Sequence, residues 1–240
     1  MRKDHLNALM ERIIERHIKG VLFDFDGTLA DTLPSITDGV NLTLEHYGYP
    51  PKTEQEVRLA IGNGARILAE RIIPKEKAAD SAYVDGVLAY YCSSYEKTFL
   101  NCRECYPGIK ELLIGLKKRG IKLGVVSNKP DPMTKALCKC LFEDGLLDFV
   151  LGQTSLPLKP YPDALLLGAR TFGLPPEQCA MVGDGETDMK AAANAGMLAI
   201  GVSWGYRSRD ILEAVDGSYV VDTVDELAVA FGIKDLTEAQ

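Results

Sequence analysis

The chain has 240 residues, 46 % apolar and 25 % charged, which is enough to bury one large core, or a core with a smaller attached unit, and is unlike disordered or fibrous proteins. Its net charge of −7 argues against nonspecific binding to nucleic acid or to an anionic membrane. No apolar run reaches transmembrane length and the start of the chain has no signal-peptide core, so the expectation is a cytoplasmic protein with neither nucleic-acid nor membrane partners.

Residues 1–18 place Leu6, Leu9, Met10, Ile13, Ile14 and Ile18 at helical spacing, which predicts an amphipathic helix. A strand is expected at Gly20–Phe25, and then the pattern from about Pro34 to Leu100 is helical throughout, broken at 48–51, 62–64 and Pro74. Beyond Gly108 helices and strands alternate: helices at Ile109–Arg119, Met133–Phe142, Pro162–Phe172 and Asp188–Ala195, strands at Ile121–Val126, Phe149–Gly152, Cys179–Val182 and Leu198–Val202. Short, continuously apolar strands between helices predict an α/β fold with a doubly wound parallel sheet, covered on both faces. The all-helical stretch reads as an inserted domain over 34–100, the core being 1–33 and 101–240. Cys102 and Cys105 have CxxC spacing, but Cys138 and Cys140 are a poor second pair and no His lies beside either. The six cysteines read as reduced, incidental thiols.

Ligands of such a sheet bind at the carboxyl ends of its strands. Asp24-Phe-Asp26-Gly27-Thr28, Ser127-Asn128, Lys159-Pro160 and Gly183-Asp184 with Asp188 all fall there. Crowded carboxylates raise one another's pKa unless a hard cation sits among them, and Mg²⁺ takes oxygen ligands from carboxylates, water and phosphate. A lysine and a hydroxyl beside such a cation suit a phosphoryl group. Asp24 can then act as nucleophile and Asp26 as proton donor and acceptor, with Gly27 permitting the tight turn between them and Thr28.

These four ordered segments, spanning about residues 20–205, resemble the motifs of the haloacid dehalogenase superfamily of phosphatases. The resemblance implies a Rossmann-like core with a helical cap, and Mg²⁺ as cofactor. Asp24 is then the nucleophile and a metal ligand, and Asp26 the general acid/base with its backbone carbonyl on the metal. Gly27, Thr28, Ser127 and Asn128 bind phosphoryl oxygens or order the site, and Lys159 neutralises charge. Asp184 ligates the metal, and Asp188 holds a metal-bound water or orients Lys159. Gly185 stands where many relatives carry serine, so a hydroxyl contact is lost there.

Further stretches, Ile61-Gly-Asn-Gly-Ala-Arg66, Ser127-Asn-Lys-Pro130, Lys159-Pro-Tyr-Pro162 and Val202-Ser-Trp-Gly-Tyr206, resemble the phosphoglycolate phosphatase branch, with Asn63 or Arg66 of the cap reaching a substrate carboxylate. The expected substrate is a small phosphorylated metabolite, 2-phosphoglycolate first. Alternatives are a sugar or nucleotide phosphatase of broader range, a mutase of the β-phosphoglucomutase kind and, outside enzymes, a phospho-accepting receiver domain, which needs neither Asp26 nor the helical insert. Simpler readings stand beside several residues: Asp188 as a helix N-cap, Arg66 as a surface salt bridge, Trp204 and Tyr206 as packing. The chain is expected to be a monomer or a homodimer.

Overall fold

A computed structural model describes residues 2–101, 104–234 and 236; Cys102, and with it half of the CxxC pair, lies outside them. Six parallel strands form one sheet: β1 Gly20–Phe23, β2 Lys122–Pro130, β3 Phe149–Gln153, β4 Cys179–Gly183, β5 Leu198–Val202 and β6 Ser218–Val221, in the order β3-β2-β1-β4-β5-β6. β1 is central, with Phe23 in register with Val125 on one side and Val182 on the other. From β1 the chain builds outward to β2 and β3, then crosses to β4 on the opposite side. The crevice between β1 and β4 is therefore the switch point of the sheet, where ligands of such folds bind.

Period-two alternation explains why the strands read as unbroken apolar runs. Val21, Phe23, Leu123, Val125, Ala180 and Val182 enter one core cluster, while Leu22, Val126, Cys179 and Met181 enter a second on the other face. The helices that cover these faces are α1 Arg2–Glu15, then, after the inserted helical stretch, α7 Ile109–Lys118, α8 Asp131–Leu141, α9 Asp163–Phe172, α10 Glu186–Ala195, α11 Arg209–Glu213 and α12 Val224–Ala230. Helix α1 packs on α12 and β6, burying Leu9 and Ile13.

Between β1 and β2 lie α2 Leu33–His46, α3 Glu54–Ala60, α4 Ala65–Ile72, α5 Lys75–Ala78 and α6 Ser81–Thr98, with no strand among the described residues there. Local chemistry sets their starts. Thr53 and Glu56 form a reciprocal capping box at α3, and the Asp80 carboxylate accepts from Ala82 and Tyr83 N–H at α6. Helix α2 packs along α6, burying Val40, Leu44, Val87 and Tyr91, and this apolar layer continues through Ile36, Leu33 and Leu29 into the sheet core.

The structure departs from the sequence expectation in four places. β1 stops at Phe23 rather than Phe25: the Asp24 N–H still bonds Val182 O at 2.9 Å, but Phe25 O is turned into the following loop, where it accepts from Thr28, Leu29 and Ala30 N–H. β2 runs past Val126 to Pro130 through a register shift, so Ser127, Asn128 and Lys129 lie on an irregular strand extension. The tail beyond residue 205 adds β6, α11 and α12. Helix α10 begins at Glu186, which places Asp188 in its first turn rather than at its N-cap; the extended residue before it is Gly185, at φ −119° and ψ 151°.

Candidate active site

Asp24 follows β1, Asp184 follows β4 and Asp188 sits in the first turn of α10, and one carboxylate oxygen from each lies within 4.8 Å of the others. Lys159, on the loop before α9, reaches under them. Its ammonium is 3.1 Å from Asp24 Oδ1 and 2.7 Å from Asp188 Oδ1, and it donates to Val126 O at 2.7 Å. Asn128 fixes that loop from both sides: its Oδ1 accepts from Lys159 N–H at 2.9 Å and its Nδ2 donates to Lys159 O at 3.0 Å.

The other contacts orient carboxylates. Asp184 accepts from the Thr28 hydroxyl at 2.9 Å and from Tyr206 N–H at 2.7 Å, one on each oxygen. Asp188 Oδ2 accepts from Gly185 N–H at 3.0 Å, and Asp24 Oδ1 accepts from Phe25 N–H at 2.7 Å. Asp26 points elsewhere. Its carboxylate takes the Lys129 ammonium at 2.9 and 3.1 Å and the Thr32 hydroxyl at 2.6 Å, while Lys129 donates onward to the Tyr95 hydroxyl at 2.6 Å.

Counting charge, four carboxylates face two ammonium groups, an excess of two negative charges. Burial raises Asp184 to about 8, with Asp24 and Asp188 adding to it against the Tyr206 and Thr28 hydrogen bonds. Burial likewise raises Asp24 to about 6, since Lys159 only partly offsets it and Asp188 and Asp26 push the same way. Burial opposes the charge on both lysines, but their carboxylate partners outweigh it and raise both. The carboxylate cluster is thus short of positive charge by the amount one divalent cation carries, and its all-oxygen donor set suits a hard ion.

Space at the cluster is tight. Gly27 has φ +80°, and a Cβ built there would sit 2.4 Å from Asp184 Oδ2. Gly27→Ala therefore combines a left-handed penalty of about 1–2 kcal/mol with displacement of Asp184. We expect a lower urea midpoint together with weakened cation binding by calorimetry, and unchanged values for both would show that the turn relaxes without cost.

The cluster floors a cavity of about 800 Å³ including its open mouth, whose roof is the α3–α4 turn and helix α6. Ser127, Asn128, Lys129, Asn63, Tyr91 and Tyr95 line it, with Arg207 at the side. Gly64, φ +87°, lets the turn approach Leu158 closely, and Asn128 Nδ2 also reaches Gly62 O at 3.3 Å. Two arginines cross the gap between this turn and the loop after β5. Arg58 donates to Tyr206 O at 2.7 Å and Gly205 O at 3.1 Å, and Arg207 donates to Ile61 O at 2.7 Å and Arg58 O at 2.9 Å.

Of the residues singled out in the sequence, Asp24, Asp26, Gly27, Thr28, Ser127, Asn128, Lys159, Asp184 and Asp188 come together here, and Asn63 faces them from the turn, its Oδ1 held by Arg71 at 2.9 Å. Arg66 does not join them. Its guanidinium is taken by Asp85 and by Ser81 at 3.0 Å, with Glu70 at 3.5 Å, and it lies outside the cavity lining. Tyr206 does more than pack: its hydroxyl accepts from Thr32 N–H at 2.9 Å, and its own N–H holds Asp184. Lys129 and Tyr95 had no role in the sequence reading. Lys129 stands two residues beyond Ser127 on the strand extension and Tyr95 four beyond Tyr91 on α6, spacings that place each on its neighbour's side.

Comparison with known proteins agrees with this arrangement. The profile of the haloacid dehalogenase-like hydrolase family matches residues 18–196. The phosphoglycolate phosphatase of Mannheimia succiniciproducens is 37 % identical over 193 residues, covering 77 % of this chain and 85 % of that protein. That of Rhodospirillum rubrum is 35 % identical over 210 residues, covering 85 % and 87 %. A Lactobacillus delbrueckii crystal structure with a provisional phosphoglycolate phosphatase designation superposes with a TM-score of 0.80 at 29 % identity, covering 90 % of this chain and 98 % of that one. No helix among the described residues is long and apolar enough to cross a membrane. With the four motifs gathered at one sheet edge and matched over most of its length, the chain is an enzyme that belongs to the haloacid dehalogenase-like hydrolase family.

Proposed function

We propose that this enzyme hydrolyses a small phosphomonoester, 2-phosphoglycolate foremost, to the alcohol and phosphate through a phosphorylated Asp24, with Mg²⁺ as its cation. The observation that carries the reading is the unbalanced charge of the cavity: Asp24 lines it as one of three clustered carboxylates that a dication would balance, beneath the roof formed by the α3–α4 turn and α6. Asp24, Asp184 and Asp188, with the Asp26 carbonyl, would hold Mg²⁺. When bound, the ion neutralises phosphoryl oxygens and so lowers the barrier to attack by an anion.

The residues supply the rest. Asp24 attacks phosphorus, and Asp26 gives a proton to the departing alkoxide. Asp26 then takes a proton from the water that attacks the phosphoryl group on Asp24, which releases phosphate and restores both carboxyls. Lys159 neutralises Asp24 and Asp188 while phosphoryl charge builds, and Ser127 turns its hydroxyl proton to a phosphoryl oxygen. Thr28 and Asn128 act by orienting Asp184 and Lys159. Helices α2–α6, over about 34–100, serve as a cap that closes over the substrate, excludes water and reads the leaving group.

A panel of some dozens of phosphomonoesters ranked by kcat/KM tests the substrate. Phosphoglycolate is expected in the first rank, and a low rank would remove it. Phosphoryl transfer to an added sugar phosphate outrunning release of inorganic phosphate would point to the mutase alternative instead.

A further inference from the structure

We propose that Lys129 is the specificity-determining residue of this enzyme, the cation that receives the carboxylate of the substrate, held for that task by Tyr95 of the cap. The inference rests on the phosphoglycolate reading above and names the partner of the substrate's second charge.

Chain length decides where that charge must be met. In phosphoglycolate a single methylene separates the ester oxygen from the carboxylate carbon, so a carboxylate oxygen lies about 3 Å from the ester oxygen. Asp26 must come within about 3 Å of that same ester oxygen to protonate it. The cation that reads the carboxylate therefore has to stand next to Asp26. Lys129 does, at 2.9 and 3.1 Å from its two oxygens.

The other cations near the cavity are engaged away from that point. Lys159 is bound to Asp24, Asp188 and Val126 O. Arg207 spends its guanidinium on the carbonyls of Arg58 and Ile61, and Arg66 on Asp85 and Ser81. Lys129 is 6 % exposed and lines the cavity. Its three hydrogen bonds run to the two oxygens of Asp26 and to the Tyr95 hydroxyl, and since one contact suffices to hold Asp26, a substrate oxygen can take the place of the other. The ammonium also lies 4.5 Å from the centre of the Tyr95 ring, which has the parallel ring of Tyr91 at 5.6 Å and the tilted ring of Phe99 at 6.1 Å as aromatic neighbours. With Ile36 and Leu68 the Tyr91 and Tyr95 rings make an apolar wall, so a carboxylate entering here meets the Lys129 ammonium beside apolar surface, where a charge pair counts for more than in open water.

The test compares 2-phosphoglycolate with ethyl phosphate, which has the same two carbons and no carboxylate, using full-length enzyme with Mg²⁺. Wild type is expected to favour phosphoglycolate in kcat/KM. Lys129→Met should lower the ratio of the two kcat/KM values by about 100-fold, the order of loss for a buried charged contact, whereas Arg66→Ala should leave the ratio within about threefold. The ratio cancels any damage common to both substrates, such as misplacement of Asp26. If Lys129→Met costs both substrates equally, Lys129 only positions Asp26 and the proposal is overturned. A collapse of the ratio in Arg66→Ala instead would overturn it in favour of the cap arginine. Should Lys129→Met not fold by circular dichroism, Lys129→Gln, which keeps hydrogen bonding without the charge, gives the same decision. A wild type that does not favour phosphoglycolate removes the substrate reading and this inference with it, whereas a preference that survives in Lys129→Met removes the inference alone.

Discussion

Asp24→Asn is expected to lower turnover of an aryl phosphate such as p-nitrophenyl phosphate by roughly 10⁴-fold or more, the order seen when a covalent nucleophile is removed. An aryl leaving group departs without needing a proton, so the assay isolates the attack by Asp24 from the work of Asp26. The fold should survive. Asparagine keeps the oxygen that accepts from Phe25 N–H at 2.7 Å and removes one charge from a crowded cluster. Circular dichroism and a melting temperature at or above wild type, together with lost turnover, would support the assignment. Turnover within tenfold of wild type would rule Asp24 out as nucleophile.

Chelation is expected to abolish activity, and the accompanying change in stability should depend on pH in a defined direction. Asp24 and Asp184 are raised in the folded chain to about 6 and about 8 from an unfolded value of 3.8. Groups raised in this way contribute stability that is fully present below the unfolded value and is lost as pH rises through the folded values. Between pH 5 and 9 the cation-free protein therefore loses the benefit of holding those protons, and a dication that replaces them restores it. The rise in melting temperature on adding Mg²⁺ should accordingly be larger at pH 8.5 than at pH 5.5, where protons compete for the same oxygens. A rise of equal size at both values, or none, would argue against Asp24 and Asp184 as ligands. Full activity in excess EDTA would remove the metal from the reaction altogether.

The sheet was legible because its inner strands are buried on both faces and so read as apolar runs between helices. The inserted helices were legible because helical patterns follow one another from about Pro34 to Leu100 without a strand-like interval. β6 was not: Ser218-Tyr-Val-Val221 is four residues long at the sheet edge, and its first two are only half buried, which leaves too little pattern to separate it from a loop. The clustered carboxylates could be read because Asp24 and Asp184 each follow a strand in a fixed local motif and Asp188 stands in the helical turn just beyond Asp184. Arg66 illustrates the limit. Its neighbours in sequence suggest a residue facing a ligand, but Asp85 and Ser81 approach from α6, and contacts between helices leave no mark in either helix's own periodicity. Lys129 was hidden for a related reason, since a lysine reads as surface until the fold supplies Asp26 on one side and Tyr95 on the other.

The paired arginines Arg58 and Arg207 have a consequence of their own. Each donates to main-chain carbonyls on the opposite side of the cavity mouth, at Gly205, Tyr206, Arg58 and Ile61. Main-chain acceptors are present whatever side chain a position carries, so the residues that offer these carbonyls can change identity without releasing the grip. Carbonyls also carry no net charge, and dissolved ions weaken such contacts far less than they weaken exposed ion pairs. The bridge between the α3–α4 turn and the loop after β5 is thereby made robust to ionic strength and to sequence drift around it, with the two guanidinium groups as the positions where substitution should tell.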